Sequence, residues 1–384
     1  MPSRDVDVLL IGGGVASVRC ARTLRRRGFA GSVLLVGDER SIPYNRPPLS
    51  KELLRGEAPA ELTWAEQPEW YTRQRVELSL GVGVVELDVG AARASLADGT
   101  LVRFGHCLIA TGAAPRVPPV PGAEHALLLR TVVDSQAIHA RAVAGKRAVV
   151  IGGGFIGVEA AASLAAVGMR VTLLEMASAL WAGAFGTALS DWAIGVLNRE
   201  GVSVRLGTAV SRLEADAAWA GDERLPADLL IAGVGVAPRV DLAKELELDD
   251  GIVVDERHRT SAMGVFAAGD VARASGRRVE HWHAAREAGE AAALGMLGLD
   301  PPAPRAPWVF TEFARQLVDV VGWAPTFDET VILDGGRLVA YLHDGAVAQL
   351  AVVNGVVPVE AARALVESRP RPEALASLTV AAGV

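Results

Sequence analysis

An apolar strand that runs into a glycine turn and then into a helix occurs twice in this sequence. Residues 5–28 contain the first copy, in which the apolar run ends at Gly12 and small and apolar side chains recur at helical spacing from Ala16 onward. Residues 147–168 contain the second copy, with its turn at Gly152. A strand, a glycine turn and a helix form the front half of a βαβ unit, whose helix N-terminus can bind a nucleotide phosphate. The sequence therefore predicts two dinucleotide-binding sites in one chain.

The first copy departs from the GxGxxG pattern at one position. Gly12 and Gly14 are in place, but Ser17 replaces the third glycine, which in such units permits close packing of the helix on the strand. Serine is small enough to keep that packing. Asp38 follows the second predicted strand, residues 32–36, where a carboxylate can bind the ribose hydroxyls of the nucleotide. The alternative is a solvated acid at a strand end, and the glycines before Asp38 favour the ribose role.

The second copy matches the pattern at all three positions, with Gly152, Gly154 and Gly157. Glu175 closes the strand that follows its helix. An acid at this place accepts hydrogen bonds from a free ribose 2′-OH and repels a 2′-phosphate. The next residues, 176–178, include no basic side chain that could bind such a phosphate. The sequence therefore predicts NADH rather than NADPH as the nucleotide of this second site.

A proline-rich segment, residues 42–53, lies between the two copies and contains Arg46 and Lys51. These basic side chains could bind a phosphate or polar atoms of a flavin. Alternatively, the segment is a proline turn before a helix capped by Ser50, with both basic side chains solvated. Glu159, early in the second helix, also has a simple explanation, because the helix dipole favours an acid near the N-terminus. The residues alone leave both interpretations of the segment open.

Composition restricts the class of protein further. At 384 residues the chain is long enough for two or three domains, and its net charge of −7 argues against nucleic acid as the main partner. The cysteines, Cys20 and Cys107, fall in apolar patterns, so we expect buried thiols and no disulfide framework. Charges within residues 4–7 interrupt any apolar leader, and the glycine fingerprint explains the apolar stretch 148–168. We expect a soluble, cytoplasmic protein.

Two further strand patterns end in turns where a ligand could bind. Residues 104–109 lead into a small-residue turn that contains Thr111, and residues 265–268 lead into Gly269 and Asp270. Ligands of open α/β sheets bind at the carboxyl ends of the strands. We therefore expect a ligand to approach these two turns closely.

The C-terminal part of the sequence has a different pattern. Residues 301–307 contain four prolines and predict a linker. Short strand patterns and an amphipathic helix follow, at residues 316–322, 330–333, 338–342, 346–353 and 359–368. Turn signals at Asp334 and Asp344 indicate hairpins between the strands. The sequence predicts a separate α+β domain here.

Taken together, these stretches resemble the FAD- and NADH-dependent ferredoxin reductases of oxygenase systems. That family includes the reductases of putidaredoxin and rubredoxin and the reductase components of ring-hydroxylating dioxygenases. The resemblance runs nearly end to end and rests on GGGVAS, VGDE, RPPLSK, ATGAAPR, LRT, GGGFIGVE, GVGVAPR, GIVVDERHRTS and FAAGDVA, in this order. RPPLSK together with the two glycine fingerprints is the specific part of the match.

The resemblance implies an α/β fold with two Rossmann-like dinucleotide-binding domains, in a glutathione-reductase-like architecture, followed by a C-terminal α+β domain. The implied FAD-binding domain comprises residues 1–111 and 241–304, the NAD-binding domain residues 112–240, and the C-terminal domain residues 305–384. The implied FAD contacts are Gly12, Gly14, Ala16, Asp38, Arg46, Lys51, Val84, Thr111, Arg130, Asp270 and Trp282. The implied NADH contacts are Gly152, Gly154, Ile156, Gly157, Glu159, Glu175 and Gly235. Lys51 and Glu159 resemble the catalytic charged pair beside the flavin, where the nicotinamide docks, and no metal is implied.

The activity implied by the resemblance is electron transfer from NADH through FAD to a 2Fe–2S ferredoxin, or to a rubredoxin, that serves a cytochrome P450 or a ring-hydroxylating dioxygenase. One alternative is an NADH oxidase or quinone reductase without a protein acceptor. Another is a redox-sensing interaction protein similar to the apoptosis-inducing factors. Thiol chemistry is not expected, because Pro47 and Pro48 occupy the region in which disulfide reductases have their redox-active cysteines.

The tail departs from the family pattern. Relatives often have Trp-Ser-Asp-Gln where this chain has Phe-Thr-Glu-Phe at residues 310–313, in a region that faces the flavin and the partner in the family. This difference leaves the identity of the electron acceptor open. Arg305 and Arg315 are candidates for contact with an acidic partner, although ordinary solvated arginines would look the same in sequence.

Overall fold

The computed structural model of this chain describes residues 2–324 and 326–375. The strands of the first 115 residues are β1 (Ser3–Ile11), β2 (Val33–Gly37), β3 (Val76–Leu80), β4 (Val84–Asp88), β5 (Arg93–Leu96), β6 (Leu101–Ile109) and β7 (Ala113–Pro115). The next strands are β8 (Leu127–Leu128), β9 (Arg147–Ile151), β10 (Arg170–Leu174), β11 (Val202–Arg205), β12 (Arg212–Glu214), β13 (Ala217–Ala220), β14 (Glu223–Pro226), β15 (Leu229–Ala232) and β16 (Val236–Pro238). The remaining strands are β17 (Ile252–Val254), β18 (Val265–Ala267), β19 (Ala272–Ala274), β20 (Trp308–Phe313), β21 (Gln316–Gly322), β22 (Glu329–Leu333), β23 (Leu338–His343) and β24 (Ala346–Val353). The α-helices are α1 (Val15–Arg26), α2 (Glu52–Arg55), α3 (Pro68–Arg73), α4 (Val132–Arg141), α5 (Phe155–Ala166), α6 (Ala182–Phe185), α7 (Ser190–Arg199), α8 (Trp282–Met296) and α9 (Val359–Ser368).

The chain forms two compact units. The first consists of the N-terminal segment through Arg46, of Glu61–Ala114 and of Ala237–Pro304. The second consists of Pro47–Ala60, of Pro115–Val236 and of the C-terminal segment from Arg305 onward.

The first unit is built on a sheet with the strand order β3-β2-β1-β6-β5-β4, and β18 also pairs with β6. Strands β3, β2, β1, β6 and β18 are parallel, whereas β5 and β4 continue the sheet in antiparallel pairing. Val8, Leu9 and Leu10 are all fully buried, because both faces of the central strand are covered. The predicted first strand, its glycine turn and its helix are therefore confirmed.

Helices α1 and α8 of the first unit pack closely against each other. Gly289 of α8 makes this possible, because a Cβ at this position would lie only 2.2 Å from the carbonyl oxygen of Ala16 on α1. Gly28 has φ +83° directly after the helix, in agreement with its predicted role as a cap. Cys20 on α1 and Cys107 on β6 are both completely buried, as expected.

The second unit contains a five-stranded parallel sheet with the order β11-β10-β9-β15-β8. Helix α5 connects β9 to its neighbour β10, which completes the βαβ unit predicted for the second copy. This helix is 12 residues long. Within the described ranges, no helix is long and apolar enough to cross a membrane. The apolarity of residues 148–168 thus corresponds to a buried strand and helix, as predicted.

The C-terminal segment forms an antiparallel sheet with the order β20-β21-β24-β23-β22, and α9 packs against β21 and β24. The four strands predicted after the linker and the helix are confirmed within one or two residues at their ends. Asp334 and Asp344 take the positive φ that the predicted hairpin turns require. Strand β20, which the sequence pattern does not indicate, pairs with β21 along its whole length.

The segment Pro47–Ala60 is held on α4 and α5 by hydroxyl groups. Ser135 donates a hydrogen bond to the carbonyl oxygen of Leu49 (2.7 Å), and Ser163 donates one to that of Ser50 (2.7 Å). The alternative in which Ser50 caps the following helix is wrong, because the N-cap of α2 is Lys51 and no side chain caps this helix. The Ser50 hydroxyl instead donates to the carboxylate of Glu159.

Candidate functional site

The first glycine turn leaves backbone N–H groups available at the N-terminus of α1. Gly12 has φ +112°, and a Cβ there would lie 2.2 Å from the carbonyl oxygen of Ala110, so only glycine fits. Gly14 is the N-cap residue and has no side chain to accept the first N–H groups, and the first turn of α1 contains no acid. At Gly13 and Gly14 an ideal Cβ would meet no atom within 4 Å. An open turn at a helix N-terminus suits a pyrophosphate.

Ser17 fills the place of the missing third glycine as the sequence suggested. Its side chain is completely buried, and its hydroxyl has no hydrogen-bond partner among the described residues. Burial of an unpaired hydroxyl costs free energy, so this serine is tolerated for its small size rather than for its polarity.

Asp38 follows β2 in the first unit, and its carboxylate is engaged by an arginine that the sequence analysis did not single out. The guanidinium of Arg239 lies 3.0 Å from the Asp38 carboxylate, and both side chains are about half exposed. Arg239 is itself held in place because Thr111 donates a hydrogen bond to its carbonyl oxygen (2.7 Å). The only signal for Arg239 in the sequence was its position at the end of the GVGVAPR motif.

Arg46 lies in a polar cluster of the first unit. Its guanidinium donates hydrogen bonds to the Glu39 carboxylate (3.0 Å) and to the Tyr44 hydroxyl (3.0 Å). Burial opposes the charge on Arg46, but the neighbouring Tyr44 and Glu39 outweigh it, so that the pKa of Arg46 is raised. Asp270, in the turn after β18, also raises this pKa through its charge. Arg46 is therefore a fixed cation in this unit.

Trp282 begins α8 and is oriented by two neighbours in the first unit. Its indole N–H donates a hydrogen bond to the side-chain oxygen of Asn45 (2.7 Å). The guanidinium of Arg286, one turn further along α8, lies over the indole ring at 4.5 Å from its centre. Val84, another predicted FAD contact, begins β4 at the antiparallel edge of the same sheet.

The second glycine turn is more tightly packed than the first. Gly152 has φ +106°, and a Cβ there would lie 2.4 Å from the carbonyl oxygen of Gly233. A Cβ at Gly157 would lie 1.9 Å from the carbonyl oxygen of Gly152, so α5 approaches the turn as closely as backbone atoms allow. Gly154 is the N-cap of α5, and Ile156 in the first turn is 41% exposed.

Glu175 lines a cavity of about 300 Å³ beside this turn. Its carboxylate accepts hydrogen bonds from the backbone N–H groups of Gly153 and Ala177, the latter at 2.6 Å. The other described lining residues are glycines, alanines, Phe155 and Trp181, and none of these is basic. The described lining of this cavity therefore contains one carboxylate and no cation. The carbonyl oxygen of Gly235, in the turn after β15, accepts the N–H of Arg116 (2.9 Å).

Lys51 and Glu159 form a buried ion pair within the second unit. The Lys51 Nζ lies 2.8 Å from Glu159 Oε2, and the side chains are only 7% and 5% exposed. The ammonium also donates a hydrogen bond to the carbonyl oxygen of Pro47 (3.0 Å). A role of Glu159 in the helix dipole alone does not explain this partner, because the Lys51 segment comes from another part of the chain.

The predicted nucleotide contacts are divided between the two units. The first unit contains Gly12, Gly14, Ala16, Asp38, Arg46, Val84, Thr111, Asp270 and Trp282. The second unit contains Lys51, Arg130, Gly152, Gly154, Ile156, Gly157, Glu159, Glu175 and Gly235. Arg130 precedes the capping box of α4, where its backbone N–H donates to the Asp134 carboxylate (3.1 Å).

Each of the two units thus contains a parallel sheet, a glycine turn and an acid after the second strand, which is the arrangement of a dinucleotide-binding fold. The chain belongs to the pyridine nucleotide-disulphide oxidoreductase family, whose model matches residues 6–289. Proteins of this family that are named ferredoxin–NAD(+) reductases use FAD and NAD(H).

Individual relatives extend the match over almost the whole chain. The ferredoxin–NAD(+) reductase subunit of the benzene 1,2-dioxygenase system of Pseudomonas putida is 34% identical, over 97% of this chain and 95% of that protein. The rubredoxin–NAD(+) reductase of Pseudomonas putida is 31% identical, over 85% of this chain and 89% of that protein. The putidaredoxin reductase in a covalent complex with putidaredoxin superimposes with a TM-score of 0.92 at 32% identity, covering 98% of this chain and 99% of that chain.

Proposed function

We propose that this protein is an NADH-dependent flavoprotein reductase that passes electrons through FAD to a 2Fe–2S ferredoxin, or to a rubredoxin. That acceptor would serve a ring-hydroxylating dioxygenase or a cytochrome P450. The observation that carries the proposal is the end-to-end similarity to a dioxygenase ferredoxin–NAD(+) reductase, at 34% identity over 97% of this chain. The residues of the two glycine turns fit the two nucleotides that such a reaction needs.

FAD would be held by the first glycine turn and its surroundings. The open N-terminus of α1 at Gly12 and Gly14 suits the pyrophosphate, with Ala16 in the first turn, and Asp38 would accept hydrogen bonds from the adenosine ribose. Arg46 supplies a fixed positive charge for the polar atoms of the cofactor. The proposed set further includes Lys51, Val84, Thr111, Arg130, Asp270 and Trp282. Bound FAD would accept a hydride from NADH and release electrons singly to an iron–sulfur protein.

NADH would be held by the second glycine turn and the cavity beside it. Gly152 and Gly154 would let the backbone approach the pyrophosphate, and Gly157 allows α5 to pack closely on the turn. Glu175 would bind the free ribose hydroxyls and repel a 2′-phosphate. Ile156 and Gly235 complete the proposed contacts. Lys51 and Glu159 would form the charged pair beside the reacting rings, where burial removes competing water and strengthens their electrostatic effect.

The proposed organisation follows the family. Residues 1–111 and 241–304 would form the FAD-binding domain, residues 112–240 the NAD-binding domain, and residues 305–384 the C-terminal α+β domain. We propose that the protein works in the cytoplasm, where NADH and reduced ferredoxins are available.

Two arginines, Arg305 and Arg315, are candidates for contact with the electron acceptor. Arg305, one of the two candidates, is engaged within the chain by Glu360 (2.6 Å) and Glu367 (3.1 Å). Its charge is therefore largely compensated before any partner arrives. Arg315 is exposed in the turn between β20 and β21 and is the better candidate of the two.

The test is NADH-driven reduction of cytochrome c by the purified FAD-loaded protein, with and without a 2Fe–2S ferredoxin from a dioxygenase system. We expect the rate to depend strongly on added ferredoxin and to be much lower with NADPH. Glu175→Gln should lose part of the discrimination against NADPH. Glu200→Gln, which changes an exposed acid in the same unit, is the matched control and should behave as the unmodified protein.

Rapid NADH consumption that no iron–sulfur protein changes would contradict the proposal and indicate an oxidase or quinone reductase. A reduced flavin that persists in complex with NAD, with little turnover under any condition, would instead indicate a redox sensor.

A further inference from the structure

The Glu159 carboxylate accepts hydrogen bonds from donors in two distant parts of the chain, residues 50–51 and residues 311–312. Thr311 donates a hydrogen bond from its hydroxyl to Oε1 at 2.8 Å, and the backbone N–H of Glu312 lies 3.3 Å from the same oxygen. Lys51 lies 2.8 Å from Oε2, which also accepts the hydroxyl hydrogen bond of Ser50. Each carboxylate oxygen thus has two donors: Oε1 accepts from a side-chain hydroxyl and a backbone N–H, and Oε2 accepts from a side-chain hydroxyl and an ammonium.

Thr311 is placed for this contact by the strand to which it belongs. It lies on β20, where its side chain is completely buried, and β20 packs on α5, the helix of Glu159. A buried hydroxyl is unfavourable unless it is hydrogen-bonded, and valine would fill the same volume without that cost. A threonine at this position is therefore explained by its bond to Glu159 rather than by packing.

The hydrogen bonds from Thr311 and Ser50 restrict the position of the Lys51–Glu159 ion pair. Lys51 is held at one side by the Pro47 carbonyl oxygen and at the other by Glu159 Oε2. If Glu159 lost its bond to Thr311, the carboxylate could rotate about its last side-chain bond, and the ammonium would move with it. A charge-assisted hydrogen bond of this kind is among the stronger contacts that a protein makes.

We propose that Thr311, together with Ser50, is a positioning residue that fixes the Lys51–Glu159 pair for the reaction between NADH and the flavin. This inference rests on the proposed function, which places the pair beside the reacting rings. A change at Thr311 should therefore affect the reduction of the flavin by NADH and not its reoxidation by the electron acceptor. The divergent segment 310–313 would then affect reduction of the flavin by NADH, and not only the choice of electron acceptor.

The experiment separates the two half-reactions of the FAD-loaded enzyme by anaerobic stopped-flow absorbance. We expect Thr311→Val to slow flavin reduction at saturating NADH by about tenfold, the size that follows from losing one hydrogen bond to a charged group. Reoxidation of the reduced enzyme by a 2Fe–2S ferredoxin should stay within about twofold. Thr311→Ser, which keeps the hydroxyl, should restore most of the rate.

Two further variants make the test independent of a folding defect. Ser50→Ala removes the hydroxyl on the other oxygen and should also slow only flavin reduction. Thr330→Val makes the same chemical change as Thr311→Val on β22 of the same C-terminal sheet, and should leave both half-reactions unchanged. Equal FAD content of all variants, read from the flavin absorbance, shows that the site is intact.

A Glu159→Gln background decides whether Thr311 acts through Glu159. Adding Thr311→Val to this background should change the rate by less than about twofold, because the contact that positions the carboxylate has already been weakened. An equally large effect in both backgrounds would overturn the inference. Unchanged flavin reduction in Thr311→Val, with a slow Glu159→Gln enzyme, would overturn it as well and leave the proposed role of the pair standing. Normal flavin reduction in Glu159→Gln itself would show that the ion pair has no part in the NADH reaction. It would refute the positioning role of Thr311 and the proposed role of the pair.

Discussion

Gly154 and Gly157 lie three residues apart in the second glycine turn, and alanine at these two positions should affect different properties of the protein. A Cβ at Gly157 would lie 1.9 Å from the carbonyl oxygen of Gly152, whereas a Cβ at Gly154 would have no neighbour closer than 4.0 Å, the carbonyl oxygen of Gly233. Gly157→Ala should therefore disturb the fold. Gly154→Ala should leave the fold intact and obstruct the nucleotide.

The magnitude for Gly157 follows from the distance. Carbon and carbonyl oxygen in close contact stay about 3.3 Å apart, so α5 would have to withdraw from the turn by roughly 1.4 Å. The obstacle is backbone, which cannot rotate aside, so we expect the upper end of an overpacking cost, about 3 kcal/mol. The better helix propensity of alanine offsets up to about 1 kcal/mol of this cost. A net loss of about 2 kcal/mol lowers the unfolding midpoint of a domain of this size by roughly 4–8 °C.

At Gly154 the φ angle of −75° is allowed for any residue, so stability should change by less than about 0.5 kcal/mol. The added methyl group would instead occupy space at the N-terminus of α5, where backbone must approach the pyrophosphate closely. We expect the KM for NADH to rise by on the order of tenfold, equivalent to about 1.4 kcal/mol of binding.

The assay is thermal unfolding of the FAD-loaded protein together with steady-state kinetics in NADH. FAD content serves as the internal control, because the first glycine turn is unchanged in both variants. A Gly157→Ala protein with an unchanged unfolding midpoint would refute the close approach of α5 to the turn. A Gly154→Ala protein that loses stability but keeps its affinity for NADH would refute the distinction between the two glycines.

Three further predictions concern charged and titratable groups. Lys51→Met leaves Glu159 buried without its cation and should lower the free energy of unfolding by about 3 kcal/mol, whereas Lys51→Met with Glu159→Gln should recover most of this loss in urea unfolding of the FAD-loaded protein. Glu175→Gln should reduce the ratio of kcat/KM for NADH over NADPH by about tenfold, because the repulsion of a 2′-phosphate is lost. Burial lowers the pKa of His258, although its hydrogen bond to the Ala267 carbonyl oxygen opposes this, so the unfolded chain binds the proton more readily. Stability should therefore fall as the pH drops below about 6.5, and His258→Gln should make this part of the pH dependence shallower in thermal unfolding at several pH values.

The parts of the fold that the sequence predicts are those whose pattern is local. The strand, glycine turn and helix of each nucleotide site follow from runs of a dozen residues, and so do the hairpins after the linker. Strand β20 was missed because its six residues show no clear alternation of apolar and polar side chains. The burial of Thr311 and Phe313 is decided by α5 and by aromatic neighbours, which lie far away in sequence.

In the candidate site, too, the features with a local sequence pattern could be predicted and the contacts between distant residues could not. Both glycine turns and the two acids after the second strands could be located from spacing alone. The contact between Arg239 and Asp38 could not, because no local pattern connects the two residues. The residues alone left Lys51 open as a solvated cation, and only the family resemblance paired it with Glu159. The pairing is present in the structure, and its place beside the flavin remains a proposal.

The family is named for disulphide chemistry, and the two cysteines bear on how electrons can leave this protein. Cys20 lies inside α1 and Cys107 inside the central sheet, and burial raises the pKa of both thiols, so neither forms a thiolate readily. Neither cysteine has formed a disulfide. A relay of electrons through thiols needs an accessible thiolate or a disulfide next to the flavin. Since both sulfurs are enclosed within a helix and a strand, reducing equivalents from the flavin would have to pass directly to an external acceptor. A reductase for a separate electron carrier works in this way, as do an oxidase and a quinone reductase, so none of these reactions requires the thiols of a disulphide oxidoreductase.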